Sequence, residues 1–256
     1  MAATLSILAI HAHPDDVEFQ CAGTLARLKQ AGCHITIATM TAGDCGSAEL
    51  GPAAISRVRR EEARQAASLL EADYVCLEFP DLGIVHDNDG RRRVTEALRR
   101  ARPDIVFTAP PVDYMADHEM TSRLVRDACF GAPIPNYATC QWEPAPPLAK
   151  IPHLYYVDSI EGIDYFGNAI QPEFIIDVSA TFELKLKMLA CHASQRNWLL
   201  KHHGMDRYVE TMRAWGAARG RQHGVAYAEG FRQHLGHGYP QDDLLGSLLT
   251  GRRYDG

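Results

Sequence analysis

The chain of 256 residues is 46% hydrophobic and 23% charged, and its 26 basic and 32 acidic residues leave a net charge of -6. That balance argues against a broad nucleic-acid surface, which must be positive to neutralise phosphates, and no apolar run is long enough to span a bilayer. The seven cysteines are odd in number, scattered and without C-x-x-C spacing, which predicts free thiols instead of a disulfide framework or a structural zinc knot.

Strand-like and helix-like stretches alternate along the chain. The apolar run Leu5 to Ile10 predicts a buried first strand, and Val17 to Ala31 predicts a helix with Phe19, Leu25 and Leu28 on its apolar positions and Gly32 closing it. β-branched residues in His34 to Met40 predict a second strand. The Gly- and Ala-rich loop that follows, Thr41 to Ala54, is long enough to close over a ligand. Ile55 to Leu70 repeats apolar residues at helical spacing and carries Arg59, Arg60, Glu61 and Glu62 near its start. Tyr74 to Leu77 reads as a third strand and Asp89 to Arg102 as a helix stopped by Pro103. The arginines between Arg91 and Arg102 are read as a solvated helix face. Ile105 to Ala109 is a fourth strand, apolar throughout and therefore buried. A loop holding Asp113, Tyr114, Asp117 and His118 then leads into a helix expected from Glu119. Pro133 to Pro152 is proline-rich and irregular, Leu154 to Val157 is a further strand, and Phe174 to Val178 is expected as an antiparallel edge strand. Leu184 to Ala193 reads as a helix ending in CHASQ and Met205 to His223 as a helical tail; beyond Tyr227 the pattern fades. Such alternation predicts an α/β fold with a mostly parallel sheet, helices on both faces and right-handed crossovers.

The chemistry concentrates at two turns. HAHPDDVEF, His11 to Phe19, begins where the first strand ends, and PPVDYMADH, Pro110 to His118, follows the fourth. A parallel sheet brings both to its carboxyl edge, where open α/β sheets hold ligands. A hydrolytic zinc takes three His or Asp/Glu ligands and keeps a position open. His13 and Asp16, three apart around Pro14, can face one point, and His118 can add the third ligand. Asp15 is then free to act as a general base toward water, and Asp117 is a carboxylate able to fix an imidazole's tautomer. Taken alone, HPDD could equally be a helix start in which an Asp caps free amides and Pro occupies the first turn. The second Asp-His pair is what favours a metal site.

AHPDDVEF together with the later Asp-His resembles the zinc-dependent N-deacetylases of the PIG-L/LmbE family, which act on molecules bearing N-acetylglucosamine. The likeness runs through the RREEA helix, the RPDIVF strand and the ADH turn, and more loosely through PEFIIDVSATFELKLKMLACHASQ. It implies a Rossmann-like fold, zinc (or ferrous iron) held by His13, Asp16 and His118, Asp15 as general base, and Arg59 as a substrate-holding arginine. The family usually reads HPDH at the second turn, its first His helping to stabilise the oxyanion, whereas this chain reads MADH with Met115 there. A thioether cannot donate to an oxyanion. The replacements considered are Tyr114, the first choice, and His192, whose alternative role is to satisfy helix-end carbonyls.

The expected activity is removal of acetyl from an N-acetylglucosamine-type sugar or conjugate. Asp44, Arg59 and the loop from Thr41 to Gly51 would contact the sugar, and Pro133 to Trp142 would form another wall. One domain over 1–256 is expected, with the metal site in a core over 1–130 and substrate-wall loops, edge strands and C-terminal helices over 131–256. Two rivals remain: metal-dependent hydrolysis of a non-sugar amide or ester, and a non-catalytic Rossmann module binding sugar or nucleotide. The second is weakened because no G-x-G-x-x-G follows the first strand. With no signal-peptide pattern at the N-terminus the expected location is cytoplasmic, and the apolar, aromatic C-terminal region is a candidate contact in a homo-oligomer.

Overall fold

The computed structural model describes residues 4–140, 142–203, 208–249 and 253–255. Strands β1 (Ser6–His11), β2 (His34–Thr41), β3 (Asp73–Phe79), β4 (Ile105–Thr108) and β5 (His153–Val157) run parallel in the order β3-β2-β1-β4-β5. Three further strands, β6 (Phe174–Asp177), β7 (Ala228–Gln233) and β8 (Arg253–Asp255), extend the sheet beyond β5 in the order β7-β6-β8 with antiparallel pairing.

Strand periodicity builds a core on each face of this sheet. Ile7, Ala9, Ile35, Ile37, Ile105 and Phe107 point to one side, where they meet α1 (Asp16–Gln20), α2 (Ala22–Gln30), α3 (Pro52–Leu69) and α6 (Phe182–Ala190). Leu8, Ile10, Ala38, Met40 and Val106 point to the other, against α4 (Asn88–Ala101) and α5 (Ala116–Gly131). The mostly parallel sheet with helices on both faces is the expected α/β architecture. Ile10 of β1 lies opposite Thr108 of β4, so the turns after these two strands leave the sheet side by side.

Several elements depart from expectation for identifiable reasons. The helix expected from Val17 to Ala31 breaks at Cys21, because the Glu229 carboxylate accepts the Gly23 and Thr24 amides (2.9 and 2.7 Å) and gives α2 an N-terminus of its own. α5 starts at Ala116, not Glu119, which places Asp117 and His118 in its first turn. β6 is antiparallel as expected but lies between β7 and β8 instead of at an edge. β7 falls where the pattern faded, and α7 (Ala193–His203) continues past CHASQ. α8 (Tyr208–Arg221) lies within the expected tail, whose first residue, Met205, is outside the described residues. A short helix, α9 (Leu244–Leu248), also follows Tyr227.

Arg99 is not solvated: it is buried and donates to the carbonyls of Ala132, Ile134 and Tyr137, pinning the irregular segment after α5 onto α4. Glu96 adds contacts to Thr139 and Ala145. Held this way, the Pro133 to Trp142 segment lines no part of the cavity described below among the described residues, so the expected wall there is corrected.

Candidate active site

The turn after β1 is built by conformational strain and a reaching carboxylate. Asp15 takes a left-handed backbone conformation (φ 101°), uncommon for a non-glycine residue. Its side chain makes no capping bond to α1, so the helix-capping reading of HPDD does not describe this turn. Asp16, the first residue of α1, instead reaches back and accepts the His13 amide through Oδ2 at 2.8 Å.

Around that oxygen the expected ligands converge. His13 Nδ1 is 3.2 Å from Asp16 Oδ2, His118 Nε2 is 3.4 Å from it, and the two nitrogens are 3.3 Å apart. Donor atoms bound tetrahedrally about 2.05 Å from a zinc lie about 3.3 Å from one another, so this triangle has the size of one face of such a shell. The nitrogens turned away from the triangle meet carboxylates. His118 Nδ1 lies 3.1 Å from Asp113 Oδ1, and His13 Nε2 lies 3.1 Å from Asp81 Oδ1 and 3.4 Å from Asp117 Oδ2. With their outer nitrogens protonated, both rings present lone pairs to one point.

The electrostatics suit a cation. Burial alone would lower the pKa of His118, but Asp16 and Asp113 push it up to about 9, and His13 is raised well above its ordinary range by Asp117, Asp16 and Asp81 against the same penalty. Burial likewise opposes ionisation of Asp16, yet His118 and His11 hold its carboxyl well below the usual range. His11, at the end of β1, sits 2.8 Å from Asp16 Oδ2 and edge-on to His118. His11, Asp16 and His118 thus also form a group able to hold a metal, although the His11 Nδ1 receives the Ala12 amide at 2.8 Å, which engages that lone pair.

Asp117, expected beside His118, thus serves His13; its oxygens also accept the Leu82 and Ile84 amides (2.8 and 3.3 Å). The carboxylate that meets His118 is Asp113. Asp81, which sequence reasoning missed, follows β3 at the same sheet edge, a position that topology could have flagged.

His13 and Asp16 of the triangle line a cavity of about 530 Å³, with Asp15 beside them, while His118 lies buried behind. Tyr208, from α8, donates its hydroxyl to Asp15 Oδ2, and Arg59 Nη2 lies 3.8 Å from the same oxygen. Burial pushes the Asp15 carboxyl up, opposed by Arg59 and reinforced by Asp16. Burial and the Asp15 charge push the Tyr208 phenol well up, keeping it a proton donor. No local pattern in the sequence marks Tyr208.

The remaining expected residues are placed as follows. Arg59 is buried on α3 and donates to the carbonyls of Pro14 (2.9 Å) and Gly43 (3.3 Å), so it ties the metal turn to the loop after β2. A side chain at Gly43 (φ 66°) would collide with that guanidinium. Asp44 accepts the Asp81 amide (3.0 Å) and is not among the described residues lining the cavity, so it shapes the wall from behind. Tyr114 lines the cavity, stands edge-on to His118 and is 68% exposed. His192 is buried away from the cavity lining, 3.5 Å from Glu18, which with Asp15 raises its pKa against the penalty of burial. Met115 lines the cavity, and the rest of the wall comes from Phe19, Leu82, Ile160, Glu161, Gln195 and Thr211, among others.

Residues 8–129, which include both turns, match the PIG-L family, described as GlcNAc-PI de-N-acetylase. Diacetylchitobiose deacetylase of Thermococcus kodakarensis is 26% identical over 88% of this chain and 82% of its own. 4-Oxalmesaconate hydratase of Pseudomonas putida is 24% identical over 89% and 88%, respectively. The crystal structure of a conserved protein from Thermus thermophilus matches with a TM-score of 0.72 and 30% identity, over 91% of this chain and 95% of that one. With that relative matched almost end to end, and the family model laid across both turns of the site, the chain belongs to the PIG-L family of de-N-acetylases.

Proposed function

We propose that the protein is a zinc-dependent N-deacetylase that removes acetyl from an N-acetylglucosamine-type sugar or conjugate. The observation that carries this reading is the triangle of His13 Nδ1, Asp16 Oδ2 and His118 Nε2, with sides of 3.2 to 3.4 Å, beside an uncapped Asp15 in a cavity. Bound by those three residues, zinc would polarise the amide carbonyl and acidify water.

The chain's own residues supply the proton traffic. Asp15 takes a proton from the attacking water through its carboxylate and returns it to the departing amine nitrogen. Tyr208 holds Oδ2 of that carboxylate in place, and Arg59 balances its charge from 3.8 Å. Tyr114, whose side chain reaches the cavity beside Met115, is the proposed donor to the tetrahedral oxyanion. His192 is assigned the role of a positive charge behind Asp15, not of a donor, because Glu18 stands against it in the interior.

Acetate release from a panel of N-acetyl amino sugars, with metal analysis of the same protein, tests the reading. We expect near-stoichiometric zinc in the purified protein, acetate release from at least one sugar, and a fall of about 10²–10⁴-fold in kcat for Asp15→Asn with metal retained. Full activity in that variant would remove Asp15 from the mechanism. Metal-loaded protein that releases no acetate but hydrates an unsaturated carboxylic acid would replace the reading with the chemistry named for the Pseudomonas relative.

A further inference from the structure

Leu82 occupies an unusual position at the rim of the cavity. It is a non-glycine residue in the left-handed region (φ 59°), its side chain is 68% exposed, and it lines the cavity. A large apolar side chain carried into water on an unfavourable backbone is a poor choice unless something covers it in use. Its conformation is also tied to the reaction centre. The Leu82 amide donates to Asp117 Oδ2, and Asp117 in turn faces the proposed ligand His13.

The cavity that Leu82 lines carries both apolar and acidic side chains. Met115, Ile160 and Phe19 contribute hydrocarbon, whereas Asp81 and Glu161 contribute carboxylates outside the ligand set. Among the described lining residues the one arginine or lysine is Arg59, whose guanidinium is held by the Pro14 and Gly43 carbonyls and faces Asp15. An anionic group entering the cavity would therefore meet the Glu161 carboxylate and find no uncommitted arginine or lysine among these residues.

Resting on the deacetylase reading above, we infer that the substrate's aglycone is uncharged and presents an apolar group that lies on Leu82, with Met115 and Ile160 beside it. The sugar's acetamide then points to the metal triangle, and selectivity among N-acetyl amino sugar conjugates is set at the rim.

The test compares the methyl, hexyl and L-malyl glycosides of N-acetylglucosamine in the metal-loaded enzyme and in Leu82→Asn. Asparagine tolerates the left-handed backbone, so the variant keeps the loop while losing the hydrocarbon. We expect kcat/KM to rank hexyl above methyl by about tenfold, chiefly through KM, and methyl above malyl; the hexyl-to-methyl ratio should fall about tenfold in the variant. A malyl glycoside turned over as well as the hexyl one, or an unchanged ratio in Leu82→Asn, would overturn the inference. Calorimetric binding of the corresponding glucosaminides, the deacetylated products, reads the same preference without turnover. Preferential hexyl binding that is lost in the variant, with no acetate released from any glycoside, would leave the apolar rest standing and fail the deacetylase reading alone. Equal binding of hexyl and malyl products would overturn the inference whatever the turnover.

Discussion

Asp15 and Asp16 are adjacent in sequence and chemically opposite in setting. The left-handed turn at Asp15 sends one carboxylate toward Tyr208 and Arg59 and the next back to the His13 amide and the two imidazoles. For this reason asparagine is the informative replacement at position 15: it tolerates positive φ, whereas alanine would add backbone strain to any loss of chemistry. The carboxylates facing the ligands are a separate test. Asp113→Asn should weaken metal affinity by about 10–100-fold, measured by competition with a chromogenic chelator, because His118 loses the partner that fixes its tautomer. The ligand-type residues themselves were legible because His13, Asp15 and Asp16 cluster within five positions of the end of β1. Asp81 and Tyr208 were not, since each reaches the site from a segment whose local pattern has no reason to announce it.

At the scale of elements, β1, β2 and β4 could be read directly from their apolar runs, and α3 from its helical spacing. β7 could not, because AEGFRQ holds one large apolar residue, Phe231, and a glutamate that a strand pattern would place in solvent. In the structure Glu229 is buried, paired with Lys185 at 2.6 Å and bonded to the Gly23 and Thr24 amides, so one side chain joins β7 to the starts of α2 and α6. Replacing it with glutamine would strand the Lys185 ammonium in the interior. We expect Glu229→Gln to cost about 3–5 kcal/mol in urea unfolding, while a Lys185→Met, Glu229→Gln double variant should recover part of that loss. An equally destabilised double variant would show that the bonds to the α2 amides, and not the charge, dominate.

Across the whole molecule the seven cysteines report on packing. All are free; Cys21, Cys33 and Cys129 are buried, while Cys45 and Cys140 are exposed. Burial pushes the Cys21 thiol well up, with Glu229 adding to the effect. Native protein should therefore react at Cys45 and Cys140 without unfolding, Cys45 slowed by burial and by Asp81, which push its thiol up, and at Cys21 and Cys129 only on unfolding. Rapid labelling of Cys129 would contradict the packing of α5 against the sheet. The parallel half of the fold was legible because each strand and its helix are neighbours in sequence; the antiparallel half depends on pairings that reach from β5 across to the last strands.

The order β5-β7-β6 also has a temporal side. A ribosome delivers β5 about seventy residues, and β6 about fifty residues, before it delivers the strand that must lie between them. Until Ala228–Gln233 emerges, the free edge of β5 and the facing edge of β6 have no native partner, and each is a template for pairing with a strand from another chain. Yield from the cell, more than stability once folded, should then be sensitive to how quickly that late strand enters its slot.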